Sequence, residues 1–259
     1  MLALPMILQN AITNLVSFLD NIMVGQLGTE QMSGVAIVNQ LIFVYNLAIF
    51  GAASAASIFG AQYFGKGNHE GHMYSFRFKL YATMFVTILA ITLFITKGEN
   101  LISLYLTDTA GTGATDVALR YGKQYLSIML IGLVPFAITQ SYATNIKETG
   151  QTFVPMAASF VAVGSNAVLD YLLIFGIGPF PKLGVMGAAL ATILARYIEA
   201  AIIVIWAHTH KEKNKYLAGA YRGFGMPMGE FKAILIKGFP LMLNELLWAA
   251  GMTAVTQCY

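Results

Sequence analysis

Apolar residues fill this chain in blocks of about twenty or more, separated by short stretches rich in glycine, proline and charge. The blocks run from Leu2 to Gly25, Ser33 to Phe59, Phe78 to Thr96, Tyr121 to Asn145, Phe153 to Phe175, Gly184 to Ala207, and from Ile234 onward. At about 1.5 Å per residue each is long enough for a hydrocarbon core of about 30 Å. None shows the period of two, in segments of about ten residues, that a membrane barrel requires. The pattern predicts an all-α, polytopic membrane bundle, because a helix satisfies its own backbone in lipid. Pro135 places any bend of the fourth span near its middle. Gly176 to Leu183 breaks the helix between the fifth and sixth. Glu99 to Thr115 reads as a long connection, and the loop Gly65 to His72, with His69, Glu70 and His72, as solvated. The polar stretch after the sixth span reads as a linker, dividing the chain into 1–207, 208–233 and 234–259.

Composition agrees. The 259 residues are 57% hydrophobic and 10% charged, with a mean hydropathy of +0.67, whereas a soluble domain carries about 25% charge. A formal charge of +3 calls for no nucleic acid, since the basic residues sit between spans. Ten lysines and arginines fall on one side of the membrane and four on the other, with Arg196 left out as intramembrane. The positive-inside rule then puts the N-terminus in the cytoplasm. A single cysteine, Cys258, excludes an internal disulfide. The start lacks a basic leader region and Asp20 interrupts the first apolar run, so that run reads as a span and not a secretory signal.

A few polar residues inside the spans change the picture. Asn166 and Asp170 lie four apart on the fifth, about 40° around the helix and about 6 Å along it, so they share a face. A carboxylate at that depth costs at least about 2.5 kcal/mol and marks an ion pathway. Asp20, Asp170 and Thr192 each fall about 10 to 12 Å inside the outer membrane edge, at about 1.5 Å per residue. Three polar intrusions at one depth point to a shared site. Arg196 and Glu199, three apart on the sixth span, read as a structural ion pair, with a transport role as the alternative. The string GAASAASIFG at Gly51 to Gly60 reads as a helix-packing surface or a path along which substrate glides. FPLMLNE at Phe239 to Glu245 echoes LPMILQN at Leu4 to Asn10, which suggests an internal repeat of which the second unit has only begun.

LDNIMVGQLG (Leu19 to Gly28), GAASAASIFGAQYFGKG (Gly51 to Gly67), IKETGQTFVPM (Ile146 to Met156) and NAVLDYLLIFG followed by LGVMGAALAT (Asn166 to Thr192) resemble, in this order, the multidrug and toxic compound extrusion family. The resemblance implies a transporter, not an enzyme. It implies twelve spans in two six-helix lobes, with this chain a fragment that holds the N-terminal lobe, the linker and the first helix of a C-terminal lobe. It further implies antiport, with a proton or Na+ driving export of small organic cations through the cytoplasmic membrane, and no other cofactor. Asp20, Asn166, Asp170 and Thr192 match the family's cation site, Asn145 its fourth-helix member, Pro5 its first-helix bending point, and Glu245 an acidic residue of the seventh helix. Tyr171 stands where many relatives have proline.

Two carboxylates in a poorly hydrated pocket repel one another, which prepares one to load and release a proton near neutrality, or both to hold Na+ with oxygens from Asn166 and Thr192. The alternatives are a lipid-linked saccharide flippase of the same superfamily, an intramembrane aspartyl protease built on Asp20 and Asp170, and a non-transporting sensor. Flippase cavities tend to be cationic, and here only Arg196 is basic deep in a span. Leu169 and Tyr171, flanking Asp170, lack the glycine-rich setting of the protease.

Overall fold

The computed structural model describes residues 18, 20–106, 112–222 and 225–258, with side chains for only part of the last helix. Among these the chain forms seven α-helices: α1 Thr29–Gly65, α2 His69–Ser103, α3 Thr112–Met129, α4 Leu133–Glu148, α5 Phe153–Phe175, α6 Val185–Thr209 and α7 Met228–Cys258. A helical stretch at 20–25 is the described end of the first expected span; Pro5, Asn10 and Asn14 lie outside the described residues. Five stretches are long and apolar enough to cross a membrane: α1, α2, Gly113–Glu148, α5 and α6. On α2 the side chains of Phe85, Ile88, Leu89 and Ile95 are exposed, a face fit only for lipid.

The helices outrun the apolar blocks. Apolar content marks the part of a helix that meets hydrocarbon, whereas its ends are set by where backbone bonding stops. Asn68 starts α2, its side chain accepting the Gly71 N–H at 2.9 Å, and α2 continues to Ser103 through residues expected in the connection. α7 likewise opens at Met228, ahead of Ile234, with the Phe231 N–H bonded to the Pro227 carbonyl at 3.0 Å. The break in the fourth span is a 3-10 turn at Leu130–Gly132, just ahead of Pro135, whose ring and missing N–H disrupt the regular ladder. α5 runs unbroken through Tyr171 and ends at Gly176, whose φ of 70° is left-handed. A Cβ there would lie 2.6 Å from the Lys182 backbone nitrogen, so glycine is required.

α1 is the hub, packing against α2, α3, α4 and α7, while α5 packs on α6. The small-residue string in α1 is buried: Gly51, Ala52, Ala53, Ala55, Ala56 and Gly60 all face neighbours. Gly238 of α7 approaches so closely that a Cβ on it would sit 2.6 Å from that of Ala55. This is the packing reading of the string.

The polar stretch after α6 folds back on α2. Buried Arg77 donates Nε to the Ala220 carbonyl (2.9 Å), Nη1 to Gly225 (2.7 Å), and Nη2 to Gly219 (2.7 Å) and Arg222 (3.1 Å). One guanidinium thereby gathers four carbonyls that no helix satisfies.

Candidate functional site

A cavity of about 530 Å³ opens between the 20–25 stretch and helices α1, α3, α4, α5 and α6. Asp20, Asn166 and Thr192, from three elements, line it together. Asp170 is not among the lining groups; it is 1% exposed and within electrostatic reach of Asp20. Among the described residues both Asp170 carboxylate oxygens, Asp20 Oδ1 and Asn166 Nδ2 are buried without a hydrogen-bond partner. Groups of this kind are nearly always satisfied, so four of them together set this place apart from the packed core.

Three contributors escape sequence reasoning. Tyr125 of α3, 1% exposed, donates its hydroxyl to Asn39 Oδ1 at 3.2 Å and lies within reach of Thr192, Asp20, Asp170 and Arg196. It stands near the start of its span, where a phenol is ordinary, so nothing local singles it out. On α1, Asn39 and Asn46 both line the cavity. Their spacing of seven puts them on one face, a signal available in the sequence but lost among apolar neighbours.

Arg196 and Glu199 also line the cavity, yet among the described residues no carboxylate comes within 4.0 Å of Arg196. The expected ion pair is not formed. Arg196 donates Nη1 to the Gly132 carbonyl at 3.2 Å and lies 5.0 Å over the Phe136 ring, while Glu199 accepts the Ser159 hydroxyl at 2.5 Å. The Gly132 carbonyl belongs to the 3-10 turn, on a different element from Arg196.

Asn145 is set elsewhere. It sits in the last turns of α4, fully buried, and its Oδ1 accepts Lys79 Nζ at 2.6 Å. Lys79 also pairs with Glu148, which His72 Nε2 meets at 3.2 Å. None of these four lines the cavity. His72, expected in solvent, is 1% exposed because α2 begins earlier than the apolar block and carries it into this cluster. Among the described residues no three His, Cys, Asp or Glu gather to hold a metal. Glu245 falls on α7, with its side chain outside the described residues.

Helices long and apolar enough to cross a membrane, gathered around one polar cavity, define the class: a lobe of a polytopic membrane protein. The MatE family model matches residues 5–172, and the chain belongs to that family. It is 27% identical over 253 residues to the "Probable multidrug resistance protein NorM" of Thermotoga maritima, covering 97% of this chain and 52% of that protein. It is 29% identical over 193 residues to the protein of the same name from Bacillus cereus, covering 74% and 41%. A solved outward-facing structure of a multidrug resistance MATE family transporter of the MOP superfamily has the same fold, with TM-score 0.79 and 24% identity over 97% of this chain and 53% of that one. A MOP superfamily transporter from Pyrococcus furiosus, whose report describes a reverse polarity of the binding pocket, aligns with TM-score 0.80 and 23% identity over the same shares. The chain spans about half the length of the curated relatives it matches, so it corresponds to one lobe of the two-lobe fold and part of a seventh helix.

Proposed function

We propose that the protein carrying this chain is a cation-coupled exporter of organic cations through the cytoplasmic membrane, with Asp20, Asn166, Asp170 and Thr192 binding the coupling ion. The observation that carries this reading is Asp170, a buried carboxylate with neither oxygen bonded, beside Asp20 on a cavity wall. A proton or Na+ supplies what these oxygens lack, and the Asn166 and Thr192 oxygens suit Na+. Asn145, tied to Lys79, is dropped from the set.

Each entering charge contributes about 2.3 kcal/mol per 100 mV. That energy drives export only if ion binding favours one conformation of the lobe over another, since an ion bound equally by both shifts nothing. Substrate enters the same cavity, where Phe43, Met129 and Phe136 offer polarizable surface and the carboxylates attract positive charge. Residues 1–207 form the lobe, 208–233 the linker, and 234–259 the start of a second lobe. The N-terminus lies in the cytoplasm by the ten-to-four distribution of basic residues. Pro5 is assigned as the hinge of the first helix, and Glu245 as an acidic group serving the second lobe. The family match moves weight away from the protease and sensor readings; the flippase remains as the second reading because Arg196 makes the cavity partly basic.

The test is efflux of a fluorescent organic cation from liposomes holding the full-length gene product, under an imposed pH or Na+ gradient, for wild type and Asp170→Asn. Gradient-driven efflux by wild type, lost in the variant, is the expected result and identifies the ion. Normal coupled efflux by Asp170→Asn defeats the site assignment. No efflux by wild type under either gradient points to a lipid-linked saccharide instead. Residues 1–259 alone are expected to be inactive, because half of the substrate path is contributed by the rest of the fold.

A further inference from the structure

We propose that a second cavity, where three connections meet on the cytoplasmic side of the lobe, binds a phosphate ester, with Lys213 and Lys215 as its cationic groups. The site shares no residue with the cavity around Asp20 and stands independently of the exporter reading.

The cavity, of about 290 Å³, lies between the α1–α2 turn, the α4–α5 turn and the segment after α6. Each of these connections is two membrane crossings from the next, so all three fall on one side, the side that the basic residues assign to the cytoplasm. Its floor is a row of packed rings. His72 meets Phe64 with centroids 5.8 Å apart and Tyr216 at 4.9 Å, and His72 and Tyr216 are each 1% exposed. His72 Nε2 is already engaged by Glu148, so the free polar groups come from the walls.

Buried neighbours hold those walls in place. Asn214, fully buried, donates Nδ2 to the Ala207 and His210 carbonyls at 3.3 and 3.1 Å, and Tyr216 is buried two residues further on. These two anchors alternate with Lys213 and Lys215, whose exposed side chains line the cavity. Among the described residues neither lysine has a carboxylate within 4.0 Å. His69 adds the opening residue of α2, and the first N–H groups of a helix lack partners within it and favour an anion. Gln151 adds an amide from the α4–α5 turn, which Gly150 closes at a φ of 81°. Glu212 is the one carboxylate in the lining, so two fixed positive charges meet one negative. A concave surface concentrates that excess. Lysines are point charges that suit a phosphate, whereas the two-pronged grip on a carboxylate is arginine's. The volume is at the low end for small-molecule sites and fits a glycerophosphate-sized group. Two sources supply that chemistry at the membrane surface: the headgroup of an anionic lipid and a soluble phosphate ester.

The experiment uses the full-length gene product in nanodiscs and has one arm for each source. In the first, phosphatidylglycerol is titrated into phosphatidylcholine and the retained phosphatidylglycerol is counted by native mass spectrometry. In the second, phosphatidylcholine is the sole lipid and radiolabelled glycerol 3-phosphate is measured by equilibrium dialysis. Each arm compares wild type with Lys213→Gln/Lys215→Gln, with Glu212→Gln, and with Lys211→Gln, an exposed lysine outside the cavity. Wild type is expected to bind in at least one arm, and that arm names the source. The double variant is expected to lose at least about tenfold in affinity, the worth of a charge-assisted hydrogen bond. Glu212→Gln is expected to bind more tightly and Lys211→Gln to match wild type. No binding by wild type in either arm overturns the proposal. So does a double variant that binds like wild type, or a loss in Lys211→Gln as large as in the double variant, which makes the effect one of general surface charge. If the double variant fails to fold, Glu212→Gln decides, and binding no tighter than wild type overturns the site.

Discussion

Lys79 of α2 and Glu148, the last residue of α4, form an ion pair closed to solvent, their side chains 0% and 6% exposed. Asn145 accepts a second hydrogen bond from Lys79, and His72 meets the other carboxylate oxygen of Glu148. Breaking such a pair from one side strands a buried charge and typically costs about 3–5 kcal/mol. Lys79→Met should therefore lower the thermal unfolding midpoint of the protein in detergent clearly, whereas Lys79→Met combined with Glu148→Leu should recover most of it. A single variant as stable as wild type shows that the pair does not hold α2 to α4.

Tyr216, in the segment after α6, packs against His72 with the rings tilted and their centroids 4.9 Å apart. Burial, helped by the negative Glu148, pushes its phenol up from the ordinary value. The folded state then resists losing this proton while the unfolded chain loses it at about pH 10. Stability is full below that pH and declines as pH rises above it. Tyr216→Phe should flatten this alkaline decline, measured as the unfolding midpoint from about pH 9 to about pH 11; an unchanged slope rules Tyr216 out as its source.

Arg77 holds the same segment through four carbonyls. A lysine delivers its donors from one point and cannot span them. With each bond to a charged group worth about 1.5–3 kcal/mol, Arg77→Lys should free the segment, and trypsin should cut at Lys211, Lys213 or Lys215 at least about tenfold faster than in wild type. Equal cleavage rates contradict the arrangement.

Gly187 of α6 faces the backbone of α5, where a Cβ would lie 2.6 Å from the Leu173 carbonyl oxygen. Gly187→Val must push apart the two helices that carry Asn166, Asp170 and Thr192. Gradient-driven efflux should fall by more than about tenfold, as misplacement near 1 Å commonly produces, with stability reduced as well. Full efflux by this variant dissociates the contact from the site.

Tyr125→Phe deletes the hydroxyl donated to Asn39 and close to Thr192. The loss of one hydrogen bond, about 0.5–1.5 kcal/mol, should weaken coupling-ion affinity up to about tenfold while leaving membrane insertion and unfolding temperature near wild type. Identical ion dependence of efflux removes Tyr125 from the site.

The class of fold is legible without coordinates. Twenty-residue apolar blocks admit only helices in lipid, and Gly176 and Pro135 stand where α5 ends and where the α3–α4 line breaks. Four-residue spacing places Asn166 and Asp170 on one face for the same local reason. Other features depend on which groups compete for a donor or a charge. Arg196 and Glu199 are neighbours by spacing, yet the Gly132 carbonyl and the Ser159 hydroxyl take them separately. Asn145 sits on the fourth span as expected, yet the group that takes it is Lys79, at the start of the third apolar block on another helix. Periodicity and hydropathy describe one helix at a time and the solvent it meets. Partnership is decided between helices, by distances that no single segment contains. That is why the chain's architecture and the grouping of Asp20, Asn166 and Thr192 could be read from its residues, while the arrival of Tyr125 and Arg196 around the same cavity belongs to the tertiary structure alone.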